Sequence, residues 1–228
     1  QLVPGKDGAM VSSEQATSRA FGSTVARSRE RTGARRVTLR QILPLGLLIL
    51  AAALLIGSIF LPYWEVGLRA PQYPEGLTVV AYVSHLGGDV REVDGLNHYI
   101  GMMALNDAAK LERQISRYAI VAVAVLAVGS FWLRGRWKWL LVLPAILFPI
   151  IFAVDLAAWL YYAGHTLDPH APLSSSIKPF TPPVMGEGKI GQFSTVSRFL
   201  VGFYAAVLGA VLAVVATVLS RRWDHGRT

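Results

Sequence analysis

The sequence predicts an all-α integral membrane protein, with four transmembrane helices carrying a small extracytoplasmic β-hairpin and helix cap and a proline-rich loop. Three observations predict it. Of 228 residues, 53 % are hydrophobic and only 16 % charged, whereas soluble domains carry about 25 % charge. Four apolar windows approach the roughly 20 residues that a helix needs to cross a bilayer core about 30 Å thick. The cations, finally, are unevenly spread along the chain. Helices are expected in the windows because lipid offers no partner to open backbone groups.

Residues 1–40 come first, a basic tail rich in Ser, Arg, Gly and Ala. Its weak apolar periodicity predicts disorder. Its arginines read as a topology signal, with attachment to anionic lipid as the functional alternative. Met10 is a candidate start residue, with residues 1–9 upstream of it. The first span covers 41–62, and its apolar run is too long for a cleaved signal peptide.

Residues 63–117 form the first external loop. Leu77–Ser84 is rich in β-branched and aromatic residues, His85–Gly88 reads as a turn, and Asp89–Val93 as a return strand. Gly95–Met103 is neither strand-like nor plainly helical. Asn106 or Asp107 can cap a helix through Leu111, Ile115 and Ile120. That helix leads into the second span, 118–133, which is short unless it continues the amphipathic stretch before it.

The third span covers 139–162 and the fourth 197–220. Between them lies the second external loop, 163–196, with Pro169, Pro172, Pro179, Pro182 and Pro183. Proline lacks an N–H donor, so this loop is expected to run extended over the first one without a regular element. Gly202, Ala205, Ala206, Gly209 and Ala210 of the fourth span permit close helix contact, within the bundle or with a partner. Residues 221–228 form a short tail.

Charge sets the direction. The two tails and the 134–138 turn hold fourteen cations against four acids, and the two long loops hold eight against nine. The tails and the turn are therefore expected in the cytoplasm. Trp137, Trp139 and Trp223 would mark the inner interface, and Tyr63, Trp64, Trp159, Tyr161, Tyr162, Phe203 and Tyr204 the outer one. A net charge of +8 is accounted for by topology, so no nucleic-acid partner is predicted; the expected partners are the bilayer and a membrane or periplasmic protein.

The absence of cysteine removes disulfides, thiolate metal sites and thiol nucleophiles. Imidazole and thioether remain as soft ligands, and they suit copper, thioether favouring Cu(I). His85, His98, His165 and His170 fall in the external loops, as do Met102, Met103 and Met185. His98 and Met102 are four residues apart, so one helical turn would bring them onto one face. The bland alternative has His98 hydrogen-bonded in its loop and the methionines packed on the membrane surface. Asp155 lies inside the third span, where an acid faces a bundle interior or a polar cavity; it reads as an ion path, as an orienter of a ligating histidine, or as a structural hydrogen bond. The other spans are too apolar for a transporter. No Walker loop, G-x-S-x-G or H-E-x-x-H occurs, and nothing favours catalysis.

Two stretches carry a resemblance. Gly88-Asp89-Val90-Arg91-Glu92-Val93-Asp94-Gly95-Leu96-Asn97-His98-Tyr99-Ile100-Gly101-Met102 is one. Gly164-His165-Thr166-Leu167-Asp168-Pro169-His170-Ala171-Pro172, with Pro179–Pro183 and Gly191–Thr195, is the other. They resemble the two external loops of a family of small bacterial four-helix membrane proteins associated with nitrous oxide reductase and its copper-accessory systems. The resemblance implies an inner-membrane accessory or maturation protein for a periplasmic copper or electron-transfer enzyme. It marks His98 and Met102 in the first loop and His165, Asp168 and Pro169 in the second; Asn97 is a further candidate functional residue beside His98. Cu(I) would be held transiently by His98 and Met102, joined by His85, His165 or Met185. The rival reading is a non-catalytic subunit of a larger membrane redox or photosynthetic complex.

Overall fold

The computed structural model describes residues 39–225 apart from 71, 174, 191 and 192. The expected disorder of the tail and the choice of start residue lie outside the described residues. Everything below belongs to the unit Arg40–Thr228.

Among the described residues, five α-helices and five strands follow one another. Helix α1 (Leu39–Ser58) leads to β1 (Trp64–Ala70), β2 (Tyr73–Ala81) and β3 (Leu86–Gly88). Helix α2 (Val90–Ile100) follows, then α3 (Lys110–Gly129) and α4 (Trp137–His165). Strands β4 (Gly186–Ile190) and β5 (Phe193–Phe199) run into α5 (Val201–His225).

Three of the described helical segments are long and apolar enough to cross a membrane: Lys110–Trp132, Trp137–His165 and Val201–Arg221. The apolar part of α1, Ile42–Ser58, is shorter. These helices turn large apolar side chains outward. Tyr118 is 74 % exposed and Val125 64 %, and Ile151, Val154 and Leu208 are exposed with them. Water would penalise so wide an apolar surface; lipid does not. The chain is a membrane protein. The second span begins at Lys110, so the amphipathic stretch and the apolar window are one helix.

Between the helices the core is made of small residues. Ala51, Ala52, Ala124, Ala127, Ala145, Ala206, Ala213 and Ala216 are all buried, and they draw α1, α3, α4 and α5 together. A Cβ on Gly209 would come within 3.1 Å of the Ala51 carbonyl oxygen. The small face of α5 is thus used inside the chain, against α1, where close approach of backbones replaces a hydrophobic driving force. At the other end of these helices, Lys138 Nζ donates to Ser220 Oγ at 3.1 Å and ties α4 to α5.

The sheet overturns the all-α expectation. Its order is β3-β2-β1-β5-β4, and every pairing is antiparallel. Strands β1 to β3 come from the first loop, β4 and β5 from the second, and the β1–β5 pairing from Trp64↔Phe199 to Arg69↔Ser194 joins the two loops. Two details of the loops are corrected with it. The predicted return strand Asp89–Val93 is the start of α2, and β2 pairs back onto β1 as well as forward onto β3. The second loop holds two strands, because its prolines all lie before Gly186.

The strands alternate as a one-sided sheet should. Register places Trp64, Val66 and Leu68 of β1 beside Leu77 and Val79 of β2 and beside Thr195, Ser197 and Phe199 of β5. This is the inner face. Glu65, Arg69, Thr78, Ser194 and Arg198 lie on the other face, where Arg198 Nε meets Glu65 Oε1 at 2.6 Å. On the inner face, Trp64 Nε1 donates to the Val184 carbonyl at 2.6 Å, and Trp64 is buried, as is Tyr63. Both were expected at the outer interface. Tyr161, Tyr162 and Tyr204 are exposed, as an aromatic belt requires.

Candidate functional site

The end of α2 is where the two loops meet. Val93, Leu96, Asn97 and Ile100 share one helical face, the i, i+3, i+4, i+7 spacing of an amphipathic helix, and that face turns toward the sheet. Gly101 ends the helix in the left-handed conformation, φ +79°. Its N–H reaches the Asn97 and His98 carbonyls, and the Met102 N–H donates to Asn97 O at 2.8 Å, the Schellman pattern.

The second loop docks onto this cap. The Asp168 N–H donates to Gly101 O at 2.8 Å and the Leu173 N–H to Tyr99 O at 3.0 Å. The Phe180 N–H returns to Gly164 O at 3.1 Å, so the segment is pinned at both ends. A Cβ at Gly164 would run into Phe180 O, and one at Gly101 would lie 2.6 Å from Asp168 O. The two glycines let the backbones touch.

Asp168 collects the local charge. Its Oδ1 accepts the His170 N–H at 2.9 Å and lies 3.3 Å from His170 Nδ1. The His170 backbone N–H, the His170 imidazole and the charge of His98 together hold the Asp168 carboxyl below its ordinary value. The stability these contacts give is therefore present above the ordinary Asp range and is lost as pH falls through the lowered folded value. The His170 amide resonance should shift on acidification with an inflection below the ordinary Asp value of about 3.9; an inflection at or above it would contradict the assignment.

The junction brings His98, Asp168 and His170 into one neighbourhood, with His98 and His170 exposed. His165 Nδ1 lies 2.9 Å from Tyr161 O and its ring stacks on Tyr161 at 4.0 Å. A carbonyl can only accept, so Nδ1 carries the proton and Nε2 is the ring nitrogen left to meet any other partner. His98 and Met102 do not share a helical face, because the helix stops between them at Gly101; Met102 turns to the cavity under the sheet. His85 stands apart, stacked on Tyr82 at 4.3 Å with Nδ1 3.3 Å from Ser84 Oγ. Met185 is exposed and Met103 half-buried. Asn97 is buried, its Nδ2 donating to Met103 O at 3.5 Å. Among the described residues, no group of three or more His, Asp or Glu side chains is placed to hold a metal ion.

Asp155 is half-buried in α4, near enough to Glu112 of α3 for their charges to interact. Trp159 and Tyr162 meet edge to face at 5.8 Å along the same helix. Two residues of this region were not anticipated from sequence. Gly101 had a signal, a glycine one step beyond an apolar helical face. Thr195 had none, since a polar residue in a strand gives no sign of facing inward.

Fold and junction together define a class: a helical membrane protein whose inter-helix loops build a sheet-and-helix head. Comparison with protein-family models finds no match, and comparison with curated proteins finds none either.

Proposed function

We propose that this chain is an accessory or maturation protein for a periplasmic copper or electron-transfer enzyme, of the nitrous oxide reductase kind. It sits in the bacterial inner membrane with its head outside and both termini in the cytoplasm. The observation that carries this reading is the junction. The two segments that carry the family resemblance are the two that hydrogen-bond to each other, through Gly101 with Asp168 and Tyr99 with Leu173. A surface assembled from both loops suits contact with a partner better than two separate loops would. Its exposed imidazoles are soft, few and accessible, which suits transient handling of Cu(I).

The topology rests on two supports. The loops on either side of the α3–α4 pair join one sheet, so they share one side. Arg134, Arg136, Lys138 and Arg221 fall at the opposite ends of the helices, in keeping with the positive-inside rule. The subunit reading drew on the apolar spans and on the small residues of α5; of the latter, Gly209 packs against Ala51 and Leu55 of α1.

Competition of the full chain, in lipid nanodiscs, against a chromophoric Cu(I) chelator tests the copper part. Wild type should take up Cu(I), and His98→Ala combined with Met102→Ala or with His170→Ala should weaken uptake about tenfold or more, the loss of one ligand contact worth at least 1.4 kcal/mol. Equal uptake by wild type and both double variants removes copper from the proposal. A stable redox complex recovered after gentle solubilisation would favour the subunit reading instead.

A further inference from the structure

We propose that the cavity beneath the sheet holds the oxygen-bearing end of an uncharged, lipid-soluble molecule. The cavity lies between the inner face of the sheet, α2 and the sheet-side end of α4. Its volume is about 90 Å³. Leu68, Leu96, Ile100, Leu160 and Phe180 make most of the wall. Among the described residues no acid, base or histidine lines it. A charged end group would therefore be buried without a counter-ion, which is strongly disfavoured.

Two polar residues break the apolar wall. Thr195 is 3 % exposed, and its Oγ1 has no hydrogen-bond partner among the described residues. Asn97 is also buried, and among the described residues its carboxamide makes only the long bond to Met103 O. Buried hydroxyls are almost always paired, so an unpaired one in a cavity wall marks a place where something else supplies the partner. An ordered buried water needs two to four polar neighbours, and beyond Thr195 and Asn97 the wall is apolar. A ligand with one neutral oxygen and an apolar body satisfies both the hydroxyl and the wall. Such molecules are concentrated in the bilayer, and Leu160 belongs to a helix long enough to cross it. A ring carbonyl and a chain hydroxyl share this chemistry.

Thermal melting of the full chain in lipid nanodiscs, followed by far-ultraviolet circular dichroism, decides the matter with three probes: a short-tail benzoquinone, decanol and decane. A ligand that binds only the folded state raises Tm. The quinone or decanol should raise it and decane should not, and whichever oxygenated probe acts identifies the source. Thr195→Val keeps the shape and removes the unpaired hydroxyl, so it should fold at least as stably as wild type. It should also bind the active probe roughly tenfold more weakly, the value of one good hydrogen bond. Leu105→Phe, which fills the cavity from its rim, should abolish the shift. The proposal is overturned if decane stabilises as much as the oxygenated probes, if neither of those shifts Tm, or if Thr195→Val binds unchanged.

Discussion

Replacing Gly101 with alanine is expected to cost about 2–5 kcal/mol, the sum of left-handed backbone strain and a backbone clash. The strain arises because φ is +79° there, a region that L side chains rarely enter. The clash arises because the new Cβ would lie 2.6 Å from Asp168 O and 2.8 Å from Asp168 N. Both neighbours are backbone atoms and cannot rotate away, so the second loop must lift off α2. A lowered melting temperature should therefore come with new protease cleavage between residues 166 and 180. Gly95→Ala, inside the same helix, is the control. Nothing lies within 4 Å of a Cβ there, so alanine should stabilise the helix by about 0.5–1 kcal/mol through lower chain entropy. Equal effects of the two substitutions would show that the docking of the loops is not what Gly101 provides. If the junction is the functional surface, Gly101→Ala should also lose Cu(I) uptake while keeping His98, Met102 and His170.

The membrane helices were legible in the sequence because a single physical demand, about 20 residues without unpaired charge, writes them in composition. The sheet was not, and each strand shows why. Strand β1 reads Trp64-Glu65-Val66-Gly67-Leu68-Arg69, a clean alternation, but it directly follows a span, where aromatic residues also mark an interface. Strand β5 hides its inner face behind Thr195 and Ser197, so its alternation carries no apolar signal. Helix α2 was obscured by Val90 and Val93, which look like strand residues until they are counted with Leu96 and Ile100 as one helical face. The prolines argued correctly against regular structure from 169 to 183 and said nothing about 186–199. Most of all, the β1–β5 pairing joins residues more than 120 positions apart in the chain, and no local pattern encodes that. The same limit applied to the site. The sequence offered His98 with Met102 by spacing; the long-range bond to Asp168 sets His98 beside the second loop instead.

Tyr63 is where the helices and the head are fastened, and its loss should be felt throughout. The residue is fully buried. Its hydroxyl meets Ser58 Oγ at 2.7 Å, and Ser58 Oγ in turn donates to Leu55 O at 2.6 Å, so Tyr63 is the donor of the pair. Its ring lies 4.8 Å from that of Phe152 and edge-on to Phe148. Its backbone N–H binds Ala81 O in β2, and its carbonyl accepts the Leu200 N–H that begins α5, each at 2.8 Å. Tyr63→Phe removes one hydrogen bond while Ser58 keeps the other, and should cost about 1 kcal/mol. Tyr63→Ala empties an aromatic site between α1, α4 and the sheet, and should cost about 3–5 kcal/mol. Burial, partly offset by the bond to Ser58, pushes the phenol up to about 12. An unfolded tyrosine ionises near pH 10, so the folded state loses ground to the unfolded one as pH rises from about 10 towards the folded value. Ultraviolet titration should show one tyrosine ionising well after the exposed ones, and the late step should vanish in Tyr63→Phe. A late step that survives the substitution would place the buried phenol elsewhere and remove Tyr63 from this role.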